Sequence, residues 1–434
     1  MSYLELLHKI IENKFTLGVI GIGRVGLPLS VTFAQKGINV IGFDINDELI
    51  KKVNSLTAPF FEPNLDIYLK ETMKSNKFSA TNDYSLLKNV DVIIITVGTP
   101  LNEHFVPDYS QLFSALDKIV QYPIKNKLII LRSTSSPGTL ENIVKPYLEK
   151  KTNLKAGEDF YLAVCPERIV EGKAIEELQI LPEIIGGVTE TCSKLASEIF
   201  RKLNSNKKIF VTTPKAAELG KLFTNVYRYV NFALANEFGL IAEEHGEDAH
   251  EIIRIVNEDY NRCRIPTPGL TGGPCLSKDG YFLTQHMPFP EFIQMASKLN
   301  ENIPNHIIKK LKKELEREGK ILTLCKVAVL GLAYKSGIDD TRLSPAVKIA
   351  DLLKDEGCEV KTYDPYVYPD SSNSLSDVVR DADAGINIAI KHPEFKDLPS
   401  ILNVLNKEPI VIDCWKMFDE KEIKGRYIAF GKGK

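Results

Sequence analysis

Short apolar runs that end in glycine or a polar turn alternate with stretches of helical spacing along most of the chain. That alternation predicts a doubly wound α/β fold. The first run is Thr16-Leu-Gly-Val-Ile, followed by Asn39–Asp44, Val90–Thr96, Lys127–Leu131 and Phe160–Val164. Each has the length of a strand buried on both faces and falls far short of a membrane span. The pattern opens again at Lys326-Val-Ala-Val-Leu-Gly331, with Glu359–Asp364 and Ile410–Asp413 behind it. Between the two openings, Pro214 to about Glu316 reads as mostly helix. Ala216–Glu244 runs without proline, and Leu219, Leu222, Phe223, Val226, Tyr229, Val230 and Ala233 recur at three- and four-residue steps. Such a helix spans roughly 40 Å, enough to join two domains with surface left for a partner subunit. The expected architecture is α/β: two doubly wound parallel-sheet domains, 1–213 and 317–434, joined by a helical middle domain, 214–316, with a long connecting helix.

Composition narrows the class. Lys plus Arg total 55 against 57 Asp plus Glu, and a net charge of −2 offers no general attraction to nucleic acid or to an anionic membrane. Met1–Lys14 reads as a short amphipathic helix, because Glu5, Lys9, Glu12 and Lys14 interrupt what a signal peptide would keep uncharged. The seven cysteines are scattered with no CxxC pair, which fits a reducing cytoplasm and argues against a disulfide framework or a zinc site.

Gly21-x-Gly23-x-x-Gly26, with Arg24 and Val25 inside it, follows an expected strand and opens an expected helix. Glycines in that order permit a tight turn and close approach to a pyrophosphate at the positive end of the helix, as in Rossmann-like domains. Asp44 ends the next strand, about 20 residues on, where a carboxylate bonds a ribose 2′-hydroxyl and repels a 2′-phosphate. NAD is therefore expected over NADP. Val97-Gly-Thr99-Pro and Arg132-Ser-Thr134 end later strands, on the edge where ligands bind in such sheets. The second glycine turn lacks this spacing and carries Lys335, with Arg342 beyond it. A second phosphate-bearing ligand and a solvated loop are equally compatible with that segment.

Three clusters carry chemistry. Thr271-Gly-Gly-Pro-Cys275-Leu-Ser-Lys278-Asp279 sets one cysteine beside a glycine pair, a lysine and an aspartate, a setting suited to a nucleophilic thiolate. Pro166-Glu167-Arg168-Ile169-Val-Glu171 follows a strand, and its carboxylates, four apart, would share one face of a helix. Together with Arg168 they suit general base work and anion binding, although a solvated helix start is the plainer local reading. Lys221, Asn225 and Arg228 form a polar stripe on an otherwise apolar helix, which is costly to bury unless paired.

The order of these motifs resembles the UDP-glucose/GDP-mannose dehydrogenase family from about Thr16 to the end. The matching pieces are Gly-Ile-Gly-Arg-Val-Gly, Val-Gly-Thr-Pro, Ser-Thr-Ser-Ser-Pro-Gly-Thr, Cys-Pro-Glu-Arg-Ile-Val-Glu-Gly, Lys-Leu-Phe-Thr-Asn, Gly-Gly-Pro-Cys-Leu-Ser-Lys-Asp and Gly-Leu-Ala-Tyr-Lys with Asp-Asp-Thr-Arg. The resemblance implies a UDP-sugar substrate, NAD as cofactor, a homodimer or dimer-based oligomer, and four-electron oxidation of the sugar C6 alcohol to a carboxylate. It implies Cys275 as the nucleophile that holds C6 as thiohemiacetal and thioester, Glu167 as acid/base, and Lys221 and Asn225 as oxyanion partners. Asp279 and Thr134 would orient water and Lys221. Arg24, Val25, Asp44, Thr99, Thr134, Glu171 and Arg342 fall on the NAD side. Arg168, Ile169, Arg228, Gly272, Tyr334 and Lys335 fall with the nucleotide sugar, and Arg262 matches an arginine that reaches a substrate in the neighbouring subunit.

Pro-Glu-Arg, and Ile184–Thr189 after Glu176-Glu-Leu178, point to the 2-acetamido branch and to UDP-N-acetyl-D-mannosamine, with UDP-N-acetylglucosamine or UDP-glucose as alternatives. Pro274 stands where that branch carries histidine, and Pro268–Gly273 is shorter than its counterpart; both differences fall beside the sugar. Two other classes compete. A non-catalytic nucleotide-binding regulator would not need Cys275 and Lys221. A two-electron β-hydroxyacid dehydrogenase would not need Cys275 or the Gly331–Arg342 segment.

Overall fold

The structure, a computed structural model, describes residues 3–285, 287–367, 374–382 and 384–433. The chain forms two compact units, residues 1–224 with 281–286, and residues 225–280 with 287–434.

The first unit is built on eight strands, β1 Thr16–Ile20, β2 Asn39–Phe43, β3 Phe78–Thr81, β4 Val92–Ile95, β5 Leu128–Leu131, β6 Tyr161–Val164, β7 Glu183–Gly187 and β8 Ile209–Thr212. They lie in the order β3-β2-β1-β4-β5-β6-β7-β8. The order reverses between β1 and β4, the crevice at which dinucleotides sit in doubly wound sheets. All neighbours are parallel except β6 and β7, which pair antiparallel through Ala163↔Gly187 and Val164↔Gly186. Successive residues of the central strands feed different cores. Leu17, Val19, Val92, Ile94, Leu128 and Ile130 face one, and Ile20, Ile93, Ile95, Ile129 and Leu131 the other. Burial on both faces is why these strands read as unbroken apolar runs. The expected N-terminal helix spans Tyr3–Ile11 and buries Leu6 and Ile10 in the first of these cores; Met1 and Ser2 lie outside the described residues.

In the second unit β9 Lys326–Leu330, β10 Glu359–Tyr363, β11 Gly385–Ile388, β12 Ile410–Asp413 and β13 Arg426–Ala429 form one parallel sheet in the order β10-β9-β11-β12-β13. The 291–317 and 345–355 helices cover one face through Ile303, Ile307, Leu311, Ile349 and Leu353. The turn after β9 repeats the turn after β1. Gly21 and Gly331 have φ of 89° and 90°, and each N–H donates to the last residue of the neighbouring strand, Phe43 and Tyr363, at 2.7 Å. The long helix runs Pro214–Glu244, about 46 Å at 1.5 Å per residue. Among the described residues no helix is long and apolar enough to cross a membrane.

Asn387, in β11, is 1% exposed, and among the described residues neither its amide nitrogen nor its amide oxygen has a hydrogen-bond partner. An unpaired buried amide costs about 1–3 kcal/mol. Asn387→Val, which suits a pleated strand, is expected to stabilise the second unit by about 1–2 kcal/mol. Urea unfolding followed by circular dichroism checks this, and a lower midpoint in the variant would refute it.

Candidate active site

The first glycine turn is open where a ligand needs it. A Cβ on Gly23 would meet no atom within 4 Å, whereas one on Gly26 would lie 2.0 Å from the Gly21 carbonyl oxygen. Gly26 therefore lets the 26–35 helix start against the strand, and Gly23 leaves the approach to its amides clear. Asp44 is half-buried at the end of β2 and is held there by the Ile22 N–H at 2.9 Å and the Asn46 N–H at 2.9 Å. The turn, the helix end and the partly accessible carboxylate fit an NAD molecule. Arg24 lies over the Phe60 ring, 5.0 Å from its centre, with its guanidinium 3.8 Å from Glu171. Val25 caps the helix, with φ −101° and ψ −50°.

The second turn differs where it matters. Asp364, the counterpart of Asp44, is wholly buried and accepts from the N–H groups of Leu332 at 2.7 Å, Ala333 at 3.0 Å and Tyr366 at 2.8 Å. His392 Nε2 lies 3.2 Å from it. A carboxylate already filled by its own chain has little capacity left for a ribose hydroxyl. Arg342, which is exposed, forks onto Asp340, with its Nη2 2.6 Å from Oδ2. Tyr334 and Lys335 are half-buried on the same loop.

At the ends of β4 and β5, the Thr99 hydroxyl, 2% exposed, donates to the Thr134 carbonyl at 2.7 Å. The Ser133 hydroxyl donates to the Val97 carbonyl at the same distance. These bonds tie the two strand-end loops together and fix the half-buried Thr134.

The expectation that Glu167 and Glu171 share a helical face is corrected. Residues 165–170 are irregular, and a turn at 171–172 closes on Gly172 with φ 82°. Pro166 and Gly172 are poor helix formers, and side chains take over the backbone bonding instead. Glu62 accepts from Gly172 N–H at 2.7 Å and Ala174 N–H at 2.8 Å, and Glu177 accepts from Val170 N–H at 2.7 Å. The two carboxylates consequently part. Glu171 faces Arg24, and Glu167 accepts from the Ile169 N–H. Burial of the Glu167 carboxyl pushes its pKa up to about 7, against the downward pull of Arg132, Lys221 and that amide. Arg168 donates to the Pro182 carbonyl, and Ile169 packs against the first core.

On the long helix exposure changes along the expected stripe. Lys221 is 3% exposed, Asn225 half-buried and Arg228 exposed. One turn before Lys221 lies Glu218, at the head of the same polar segment, and it is 1% exposed. It accepts from Gly138 N–H at 2.5 Å, Leu140 N–H at 2.9 Å and the Ser135 hydroxyl at 3.3 Å, which anchors the helix start to the loop beyond Thr134. Burial pushes its carboxyl up to about 7 against those donors.

In the second unit Cys275 directly precedes the Leu276–Thr284 helix, whose Asp279 N–H donates to the Cys275 carbonyl at 3.1 Å. Of the seven cysteines it alone is exposed. Asp279 is wholly buried and accepts from the Asn225 amide at 2.7 Å. The glycine pair serves backbone packing. A Cβ on Gly273 would lie 2.5 Å from the Tyr334 ring, and one on Gly272 2.6 Å from the Leu343 carbonyl. Arg262 is exposed and lies over the Tyr260 ring at 4.9 Å.

The chain is similar to known proteins over nearly its whole length. The UDP-N-acetyl-D-mannosamine dehydrogenase of Pyrococcus horikoshii is 39% identical, covering 96% of this chain and 99% of its own, and its structure superposes with a TM-score of 0.90. The UDP-N-acetyl-mannosamine dehydrogenase structure from Staphylococcus aureus is 33% identical with a TM-score of 0.85, covering 96% of this chain and 98% of its own. The UDP-N-acetyl-D-glucosamine 6-dehydrogenase of Pseudomonas aeruginosa is 28% identical, covering 93% and 97%. Residues 15–204 match the NAD binding domain, 215–302 the central domain and 328–420 the UDP binding domain of one family. With an open dinucleotide turn in the first unit, an exposed cysteine in the second and three family domains matched along the chain, the chain belongs to the UDP-glucose/GDP-mannose dehydrogenase family, as an NAD-dependent nucleotide-sugar dehydrogenase.

Proposed function

We propose that this chain oxidises C6 of UDP-N-acetyl-D-mannosamine to the uronate through a covalent bond to Cys275. The observation that carries the reading is that Cys275 alone of seven cysteines is exposed, at the start of a helix whose amides favour a thiolate. The choice of sugar is supported by the higher identity to the two mannosamine enzymes than to the glucosamine enzyme.

NAD would be held by the Gly21–Gly26 turn, Asp44, Thr99 and Glu171 and, when bound, would supply the hydride acceptor for each of two oxidations at C6, the hydroxyl proton of the first passing to water. The chain's residues do the rest. The Cys275 thiolate adds to the C6 aldehyde, and the new C–S bond prevents the aldehyde from escaping. Lys221 and Asn225 steady the negative charge on the C6 oxygen, and Asp279 holds the Asn225 amide in place. After the second oxidation leaves a thioester, Glu167 takes a proton from water as the water adds to C6. The C–S bond then breaks, and the thiolate returns to Cys275. Thr134 orients Lys221 and the water, and Arg24, Val25 and Arg342 complete the NAD side. Arg168, Ile169, Arg228, Gly272, Tyr334 and Lys335 hold the nucleotide sugar.

The functional division is 1–213, 214–316 and 317–434, and the enzyme works in the cytoplasm as a homodimer, with Arg262 reaching the neighbouring substrate. Exposed Tyr227, Leu234 and Ile241 support the dimer: they recur at seven-residue steps on the long helix, with Ile252 and Ile255 on the helix that follows.

Counting NADH at completion from limiting sugar tests the reading. Two NADH per UDP-N-acetylmannosamine are expected, with little from UDP-N-acetylglucosamine or UDP-glucose. One NADH per sugar would sink the four-electron course. Two from another sugar alone would move the substrate.

A further inference from the structure

Arg132, the first residue beyond β5, is 1% exposed. A guanidinium buried that deeply is costly unless it is closely paired, and its bonds converge on the segment that carries Glu167. Nη1 donates to the Cys165 carbonyl at 3.3 Å and to Glu183 Oε2 at 3.1 Å, and Nη2 donates to Glu183 Oε1 at 3.4 Å. The main-chain carbonyl of the same arginine accepts from the Glu167 N–H at 3.2 Å. One residue thus grips the chain at Glu167 and again two residues before it. Glu183 opens β7, the strand antiparallel to β6. Lys207, its side chain wholly buried, lies 3.4 Å from Glu183 Oε1, and Phe200 closes the cluster beneath Arg132 at 4.8 Å.

We propose that Arg132 and Glu183 are positioning residues for Glu167, their buried ion pair holding the 165–167 segment so that the carboxylate points at the reacting water. The proposal rests on the reading of Glu167 as the base. The charged groups that act on Glu167 are Arg132 and Lys221, which favour its ionised form, and Glu183, which disfavours it; the Ile169 amide bonds it directly. Arg132, Lys207 and Glu183 carry a net single positive charge, which the ionised Glu167 balances. Cys165 lies within the same cluster, its thiol 3.3 Å from Glu183 and pushed well up by burial, so it stays neutral.

The test is the pH dependence of turnover in Glu183→Gln, which keeps the shape and removes the charge. The acid limb, where activity falls as Glu167 takes up a proton, is expected to move down by about 0.5–1 pH unit. A uniform loss at every pH, with the limb in place, would overturn the proposal. Arg132→Lys keeps a cation but cannot span Cys165 and Glu183 together. It is expected to lower kcat about tenfold with both KM values unchanged, and an unchanged kcat would overturn the proposal even if Glu183→Gln failed to fold. Glu167→Gln run alongside separates the two readings. An unimpaired Glu167→Gln removes the base itself, whereas a slow Glu167→Gln with an unmoved limb in Glu183→Gln removes only the positioning role.

Discussion

Cys275→Ser is expected to bind NAD as tightly as the unaltered protein and to lose steady turnover by about 10³-fold or more. Serine keeps the size and loses the chemistry. Its hydroxyl is far less acidic than a thiol, so the amides at the start of the 276–284 helix cannot hold it as an anion near neutral pH. An ester formed there would also be a poorer acyl donor than a thioester. Because Cys275 is exposed, the exchange should change stability by no more than about 0.5 kcal/mol, and lost activity cannot be charged to unfolding. Titration calorimetry with NAD and an NADH count with limiting sugar read the two halves separately. Two NADH per sugar at an undiminished rate would rule out the covalent course.

What could be read in the sequence was local. Gly21, Gly23, Gly26 and Asp44 announce their turn because one strand, one turn and one helix start set the spacing, and the structure places them as that spacing requires. The Pro214–Glu244 helix was equally legible, since no proline interrupts it. What escaped depends on residues far apart in the chain. Arg132 follows a strand as many surface arginines do, and its burial becomes apparent only when Glu183, 51 residues on, folds beside it. The antiparallel pairing of β6 and β7 is invisible for the same reason, because Ile184-Ile-Gly-Gly carries no sign of direction. β3, Phe78-Ser-Ala-Thr, is too short and too polar to stand out as a strand.

The Glu167–Glu171 segment shows how far a local spacing can mislead about geometry. Helical spacing suggested two carboxylates acting together, yet Pro166 and Gly172 break the helix, and Glu62 and Glu177 supply the backbone's missing partners from elsewhere. The break is what separates their surroundings. Glu171 stays beside Arg24, while Glu167 turns toward Arg132 and Lys221, where burial outweighs two cations. Neither outcome can be read from a spacing of four.

Glu167→Gln is expected to slow turnover by about 10²–10³-fold and to leave the thioester standing on Cys275. Before hydrolysis the sugar is already oxidised twice, so a first rapid release of NADH should survive and only the later turnovers fail. Intact-protein mass spectrometry of the stalled enzyme should find one nucleotide-sugar acyl group per chain, lost on treatment with hydroxylamine. The pH dependence has a definite sign. A base acts in its ionised form, and the Glu167 carboxyl titrates at about 7, so hydrolysis in the unaltered enzyme should fall tenfold per unit below that value and level off above it. A free glutamate, near 4.3, would place the same limb well over two units lower. The matching is economical chemically, because a base is most effective when its pKa lies near the working pH. In Glu167→Gln the limb should vanish, leaving a slow rate that no longer follows this ionisation. A variant that keeps the limb near 7 would assign the titration to another group, with Glu218, also pushed up to about 7, the first to examine.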